Sequence, residues 1–257
     1  WIYRVNQSDV LSLARVGNYL YAGLANGNYC VIPLDSGTGL PNGAPTYKSV
    51  HGISQPIRKV YYDNNNGKTR VWFLKGNDFE VWNITVNSPN SDAFHINKTA
   101  AVNYAITNIT SVSYIGTDGP SSLYAIGNGD RLQTVNIIDN TRLSYYFRDH
   151  PFGGLGTIKS IFNVASMNIT YVIYRDYFTT TNNRVYAFNT TSNALDIIRY
   201  QNVTNPQAVS YLSGVVSVIS DNIVYSSSDD LQNMNSSANS LGVANGGFYA
   251  NDINRFI

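Results

Sequence analysis

The chain has 257 residues, 17 basic against 16 acidic, and a formal net charge of +1. That near-neutrality gives no electrostatic case for nucleic acid or for an anionic membrane as partner. A single cysteine, Cys30, excludes an intrachain disulfide, and no apolar run approaches the length of a membrane-spanning helix, so no membrane insertion is expected.

Charged residues make up 13%, about half the usual quarter, and Glu80 is the only glutamate. The composition is poor in helix formers and rich in Tyr, Val, Ile and Thr, which suit strands. No window shows a helical apolar stripe, so an all-β chain is expected.

Taken in chain order, a unit of about 50 residues recurs, and such a period marks a repeat architecture. The first unit runs DVLSLARV, NYLYAGLA, NYCVIPLD, PTYKSV. The second runs PIRKVYYD, RVWFLKG, DFEVWNITV, AFHINKT. The third is NITSVSYIG, SSLYAIGNG, RLQTVNIID, RLSYYFRD, and the fourth IKSIFNVA, NITYVIYRD, NRVYAFN, ALDIIRYQ. The fifth is shorter, QAVSYLS, GVVSVIS, DNIVYSSS and a weak last strand. Val10, Ile57, Ile109, Ile158 and Ala208 anchor the first strands. The second runs align as 19–22, 71–74, 123–126 and 171–174, the third as 30–32, 81–84, 135–138 and 185–188.

Turn residues fall between these runs. Asn26-Gly27, Asn66-Gly67, Gly76-Asn77-Asp78 and Gly127-Asn128-Gly129-Asp130 supply the positive φ that tight hairpins need. Four strands per unit predict a β-propeller forming a single domain over 1–257, with paired β-sandwiches as the alternative. The tail 241–257 gives two more strands and Trp1–Val5 one. Together they would complete a sixth blade and close the ring. The chain begins at Trp1 and not Met, as a mature product or a fragment would.

Residues 18–39, NYLYAGLANGNYCVIPLDSGTG, resemble lactonase-like and YVTN-type β-propeller repeats. In those a "LYVAN"-like strand, an Asn/Gly turn, a "V-x-D"-like strand and a "TG" turn follow one another. Asn189-Thr190-Thr191-Ser192 after Val185–Phe188 is a looser version. The resemblance implies an extracellular or surface-layer protein, or in a smaller set a lactonase with carboxylates and Asn around a central cation. WD40 and kelch signatures are absent. IRKVYYD (57–63) is similar to the repeated strand of the six-bladed fungal fucose lectins, but their recurrent Trp-Gly features are missing.

The clearest chemical signal is the N-glycosylation triplet at Asn6, Asn83, Asn97, Asn108, Asn168, Asn189, Asn202 and Asn235. A chain this rich in Asn, Ser and Thr should carry about five by chance, of which roughly two have Thr. Six of the eight here have Thr, at Asn83, Asn97, Asn108, Asn168, Asn189 and Asn202. Asn108 opens a first strand and is the least accessible expectation among them.

Other candidates reduce to structure. His51, His95 and His150 lack metal-ligand spacing and read as loop histidines at unit boundaries. Asp63-Asn64-Asn65-Asn66-Gly67 places its glycine one residue too early for a calcium loop and reads as a hairpin. Phe152-Gly153-Gly154-Leu155-Gly156 lacks the Lys-Ser/Thr of a phosphate loop and reads as a flexible crossing. No nucleophile elbow or catalytic triad is present, so no catalytic residue, metal ligand or cofactor is assigned. Tyr61-Tyr62, Trp72, Trp82, Tyr145-Tyr146 and Tyr177-Phe178 are read first as packing between sheets and second as sugar-stacking surfaces.

The expected function is a non-enzymatic, N-glycosylated, surface-exposed propeller, a structural or adhesion component of a surface layer, virion or filament. Its partners would be other copies of itself, surface proteins or glycans. The low charge and Tyr/Asn/Thr wealth resemble external proteins of thermoacidophilic archaea. A hydroxyl- and amide-rich surface suits acid, where carboxylates lose their pairs. The alternatives are a carbohydrate-binding propeller and a lactonase-like hydrolase with a central cation.

Overall fold

The structure is a computed structural model that describes residues 5–50, 54–65, 67–84, 94–97, 108–138, 142–178, 183–191, 195–221, 223–238, 249–250 and 255–256. Those residues form antiparallel strands, one short 3-10 turn at Ala165–Met167 and no α-helix.

The first sheet comprises β1 (Val10–Val16), β2 (Tyr19–Leu24), β3 (Asn28–Pro33) and β4 (Thr46–Ser49). The second comprises β5 (Lys59–Asn65), β6 (Lys68–Leu74), β7 (Phe79–Asn83) and β8 (Phe94–Asn97). The third comprises β9 (Ile109–Asp118), β10 (Ser121–Asn128), β11 (Arg131–Ile138) and β12 (Arg142–Pro151). The fourth comprises β13 (Gly156–Val164), β14 (Ile169–Asp176), β15 (Arg184–Asn189) and β16 (Asp196–Asn202). The fifth comprises β17 (Pro206–Leu212), β18 (Val215–Ser220), β19 (Ile223–Ser227) and β20 (Asn235–Ala238). Within each sheet the strands follow one another in chain order. A two-stranded pair, β21 (Tyr249–Ala250) with β22 (Arg255–Phe256), completes the described strands.

The runs aligned from sequence fall on equivalent strands. Residues 19–22, 71–74, 123–126 and 171–174 lie in β2, β6, β10 and β14, the second strand of each sheet. These strands are apolar on both faces because both faces are covered, and β10 is buried at every position. The weak last strand of the fifth unit is β20. Of the ring-closing strands, residues 1–4 and most of the tail lie outside the described residues. β21 and β22 pair with each other.

The chain divides into two compact units, 1–109 with 117–122 and 136–145, and 110–116 with 123–135 and 146–257. In the first, Ala14, Val16, Tyr21, Tyr29, Val31, Ile57, Val60, Val71, Phe73 and Trp82 form one apolar cluster. Phe73 and Trp82 meet edge-on at 6.3 Å, and Tyr29 lies 4.6 Å from Phe73. Trp72 and Trp82 are therefore packing residues, as the first reading had it. In the second unit one cluster gathers around Ile158, Val172 and Phe188, and another around Tyr171, Val185 and Val216.

A recurring joint ties consecutive first strands together. The amide of Ile57 donates to Leu24 O at 3.0 Å, that of Ile109 to Gly76 O at 2.7 Å, and that of Ile158 to Gly129 O at 3.0 Å. The carbonyl of the same isoleucine accepts a hydroxyl from the preceding first strand, Ser12 to Ile57 O at 3.3 Å and Thr110 to Ile158 O at 2.5 Å. Its side chain lies over a glycine of the preceding second strand. A methyl built on Gly23 would stand 2.5 Å from Ile57 Cγ2, and one on Gly127 would stand 2.8 Å from Ile158 Cγ2. Gly127 was expected as a turn glycine, but it is a strand residue required for close approach, while Gly129 carries the positive φ of 61°. Further hydroxyls receive amides across the same seams. Ser111 takes Ile161 N at 3.1 Å, Ser113 takes Asn163 N at 3.3 Å and Ser160 takes Val209 N at 3.4 Å.

Candidate functional site

Glu80, the only glutamate, is a core ion pair. β6 ends at Leu74 and β7 begins at Phe79, and the hairpin between them turns Lys75 inward. Lys75 Nζ lies 2.8 Å from Glu80 Oε1 and 3.1 Å from Asp78 Oδ2, with Lys75 and Glu80 fully buried. The Trp82 indole donates to Glu80 Oε2 at 3.0 Å. Deep burial makes such a cluster tolerable only when every partner is present. Arg70, also buried, donates to the Ser122 hydroxyl at 2.8 Å.

The expected sequons sit at the ends of strands. Asn83, Asn97, Asn189 and Asn202 are the last residues of β7, β8, β15 and β16, and Asn235 is the first of β20. Asn108 and Asn168 stand immediately before β9 and β14. Asn6, Asn108, Asn168, Asn202 and Asn235 are exposed, while Asn83 and Asn189 are half-buried. Asn168 is in the left-handed conformation at φ 54°, in the turn between β13 and β14, its amide donating to Ala165 O. Asn189 Oδ1 accepts the Thr191 amide at 2.9 Å and the Thr191 hydroxyl at 2.6 Å, so the triplet itself forms the turn. Asp35 closes the corresponding turn of the first sheet in the same manner, accepting from Gly37 N at 3.0 Å and from Thr38 N and Oγ1 at 2.7 and 2.9 Å. Asn83 Oδ1 is buried without a hydrogen-bond partner.

Two of the histidines lie in strands, not loops: His95 in β8 and His150 in β12. The His150 ring meets Phe152 and Phe188 edge-on at 5.0 and 5.2 Å. His51 lies outside the described residues. Among the described residues no three of His, Cys, Asp and Glu come together as metal ligands would. The Cys30 thiol is buried in strand β3, which pushes its pKa up to about 11 and keeps it protonated.

The 152–156 crossing is packed at Phe152, Gly154 and Gly156. Phe152 stacks on Tyr174 with centroids 4.7 Å apart, and Gly154 and Gly156 lie so close to the Tyr174 hydroxyl that neither has room for a side chain. Tyr177 N donates to Leu155 O at 3.3 Å and Phe178 N to Asp176 Oδ1 at 2.8 Å, which fixes the turn after β14 beside this crossing. Leu155, Tyr177 and Phe178 are 69%, 62% and 76% exposed. Burial, together with the carboxylates of Asp176 and Asp130, pushes the Tyr174 phenol up to about 12. The aromatics of Tyr177-Phe178 stand out in the sequence, whereas the influence of Asp130, from the β10–β11 hairpin, on Tyr174 does not.

β16 is the other conspicuous surface. It pairs with β15 on one side, and Ile197, Ile198 and Tyr200 are 40%, 41% and 48% exposed. Arg184 lies 4.5 Å over the Tyr200 ring. A bulge opposite Ala187/Phe188 interrupts the register, a device that discourages further strands from adding to an edge.

No protein-family model and no curated protein sequence matches the chain. Solved structures do. Sqt1 of Saccharomyces cerevisiae aligns with a TM-score of 0.63 at 11% identity, over 93% of this chain and 64% of that one. The β-propeller domain of Myceliophteria thermophila Cps50 (Swd1) aligns at 0.57 and 11% identity, over 91% of this chain and 71% of that one. A chain of a mitotic checkpoint complex aligns at 0.58 and 12% identity, over 91% of this chain and 65% of that one. The chain thus spans just under two thirds of the Sqt1 chain. At these identities the likeness bears on architecture alone, and with the four-stranded meander sheets it gives the fold as a β-propeller.

Proposed function

We propose that the chain is a non-enzymatic interaction propeller, N-glycosylated and exposed outside the cell, serving as a structural or adhesion component of a surface layer, virion or filament. The similarity to propellers, one of them from a multiprotein complex, supports protein partners; in this reading they are other copies of the chain, surface proteins or glycans. The observation that carries the reading is the placement of the sequons. Every one from Asn83 to Asn235 stands at or next to a strand end, and five of the eight asparagines are exposed. A glycan at such a position costs no core packing and adds solubility to a surface short of charge.

The test is glycopeptide mass spectrometry on native material, with intact mass before and after deglycosylation. Glycans are expected at Asn168, Asn202, Asn235 and Asn6, at Asn189 through its preformed turn, and at Asn97 and Asn108. Asn83, with its carboxamide oxygen buried, should show the lowest occupancy. Finding every sequon unmodified overturns the extracellular reading.

A further inference from the structure

We infer that Tyr200 is a platform for the sugar attached to Asn202: the first pyranose of that glycan lies with its C–H face on the Tyr200 ring, and this glycan stabilises the fold. The inference rests on the N-glycosylated reading above and deepens it at one site.

Of the eight triplets, only that of Asn202 has a Phe, Tyr or Trp two residues before its asparagine, in Tyr200-Gln201-Asn202-Val203-Thr204. Residues two apart in a strand project from the same face. Both side chains belong to β16, the last strand of its sheet. Tyr200 is 48% exposed, and Asn202 and Thr204 are exposed as well. At Asn168 and Asn189 the corresponding residues are Ser166 and Ala187, which offer no such surface.

Arg184 of β15 stands opposite Asn202 in the register and fixes both partners. Its Nε donates to Asn202 Oδ1 at 3.1 Å, and its guanidinium carbon lies 4.5 Å from the centre of the Tyr200 ring. Tyr186, opposite Tyr200, packs against it with centroids 5.6 Å apart. The backbone that follows is fixed too. Val203 N donates to Asn183 O at 3.0 Å and Thr204 N to the Tyr225 hydroxyl at 3.2 Å. A ring held in this way presents apolar area at little further conformational cost, which suits the C–H face of a sugar.

The Arg184 bond uses the carboxamide oxygen and leaves Nδ2 for the linkage. In the transfer, Nδ2 bonds to the anomeric carbon of a lipid-phosphate-linked sugar. The lipid phosphate leaves with the electrons of the broken C–O bond, and one Nδ2 proton goes to solvent. Oδ1 is unchanged, so Arg184 continues to orient the side chain once the sugar is on it.

The experiment makes the full chain in a eukaryotic host that glycosylates Asn-x-Thr triplets and trims the glycans to a single N-acetylglucosamine with an endoglycosidase. Occupancy is read by glycopeptide mass spectrometry. Melting temperatures are compared for the parent, Thr204→Ala, Tyr200→Ala and the double variant. Thr204→Ala removes the triplet while keeping Asn202 and its bond to Arg184. It should lower the melting temperature by about 2–4 °C in the parent and leave it unchanged in the Tyr200→Ala background. Tyr200→Ala also loses the packing on Arg184 and Tyr186, and the cycle subtracts that loss. In the parent, nuclear Overhauser effects between the sugar ring protons and the Tyr200 ring are expected, a readout that needs no variant. Glycans on other triplets with Asn202 bare overturn the platform and leave the glycosylated reading standing. So does an occupied Asn202 with no Overhauser effect to Tyr200, or one where Thr204→Ala acts equally in both backgrounds. A chain with no triplet occupied overturns both.

Discussion

Tyr171, buried in the middle of the fourth sheet, donates its phenol proton to Asp230 Oδ1 at 2.6 Å, across 59 residues of sequence. Asp230 lies in the β19–β20 turn of the fifth sheet, and Arg199 of β16 approaches its other oxygen at 3.7 Å. Burial and the hydrogen bond to Asp230 together push the Tyr171 phenol far above its ordinary range. Gln201 of β16 adds a bond to Leu231 O at 2.8 Å, so the turn is latched to the fourth sheet at several points. Leu231 itself is buried with φ at 65°, a conformation costly for a branched side chain and held only because the surroundings determine it.

From this latch follows the first expectation. Tyr171→Phe removes a hydrogen bond to a charged acceptor and should cost about 2 kcal/mol. For a chain of this size that is a fall in Tm of about 4–8 °C. In a double-mutant cycle with Asp230→Asn, a coupling of about 1–2 kcal/mol is expected. Additive losses would mean that the two side chains act separately.

The isoleucine joint gives the second. Gly127→Ala places a methyl against Ile158 and should destabilise by about 1–3 kcal/mol through overpacking. Gly23→Ala should do the same against Ile57. Exposed Gly67→Ala has open space around the new methyl, but its φ of 66° carries backbone strain alone, so the loss should be smaller. Urea midpoints at constant slope would rank the three.

The Asp229 turn sets the third. The Asn233 amide, then the Ser227 hydroxyl and the Asn233 carboxamide, hold the Asp229 carboxyl down to about 2. A carboxyl depressed on folding binds fewer protons in the native state than in the unfolded one. Its contribution is therefore present above the unfolded pKa near 3.8 and lost as pH falls towards 2. Asp229→Asn should lower Tm at neutral pH, and the gap from the parent should close between pH 4 and pH 2. Hydrogen bonds from Thr38 and Gly37 depress Asp35 in the same direction. A gap that stays constant down to pH 2 would show that the carboxylate charge plays no part.

What was legible in the chain was what repeats. The 50-residue period fixes which run becomes which strand, because an apolar run buried on both faces recurs in β2, β6, β10 and β14 whatever its exact residues. The anchors Ile57, Ile109 and Ile158 could be picked because each lies at or within two residues of the start of a first strand. What stayed hidden depends on contacts across the repeat. Gly127 looks like a turn residue by type, and only the neighbouring Ile158 shows why it is glycine. The lone Glu80 gave no hint that Lys75 and Trp82 would enclose it. Asp130 and Asp176 are 46 residues apart with nothing in their spacing to join them, so their meeting at Tyr174 is a property of packing. The position two residues after each anchor illustrates both sides: Ser12, Ser111, Ser160 and Ser210 keep a small hydroxyl, while the second sheet has Lys59, whose burial pushes its pKa down to about 8.

The isoleucine joint bears on how successive sheets are held to one another. At its two complete instances the hydroxyl and glycine belong to one sheet, Ser12 with Gly23 and Thr110 with Gly127, and the isoleucine to the next first strand or the residues leading into it, Ile57 and Ile158. Thr110 and Gly127 receive Ile158, and Ser160 of that same sheet goes on to hold the amide of Val209. The third and fourth sheets thus each hand a connector on to the next first strand, so the seams between neighbouring sheets are built from residues at repeating positions of the unit.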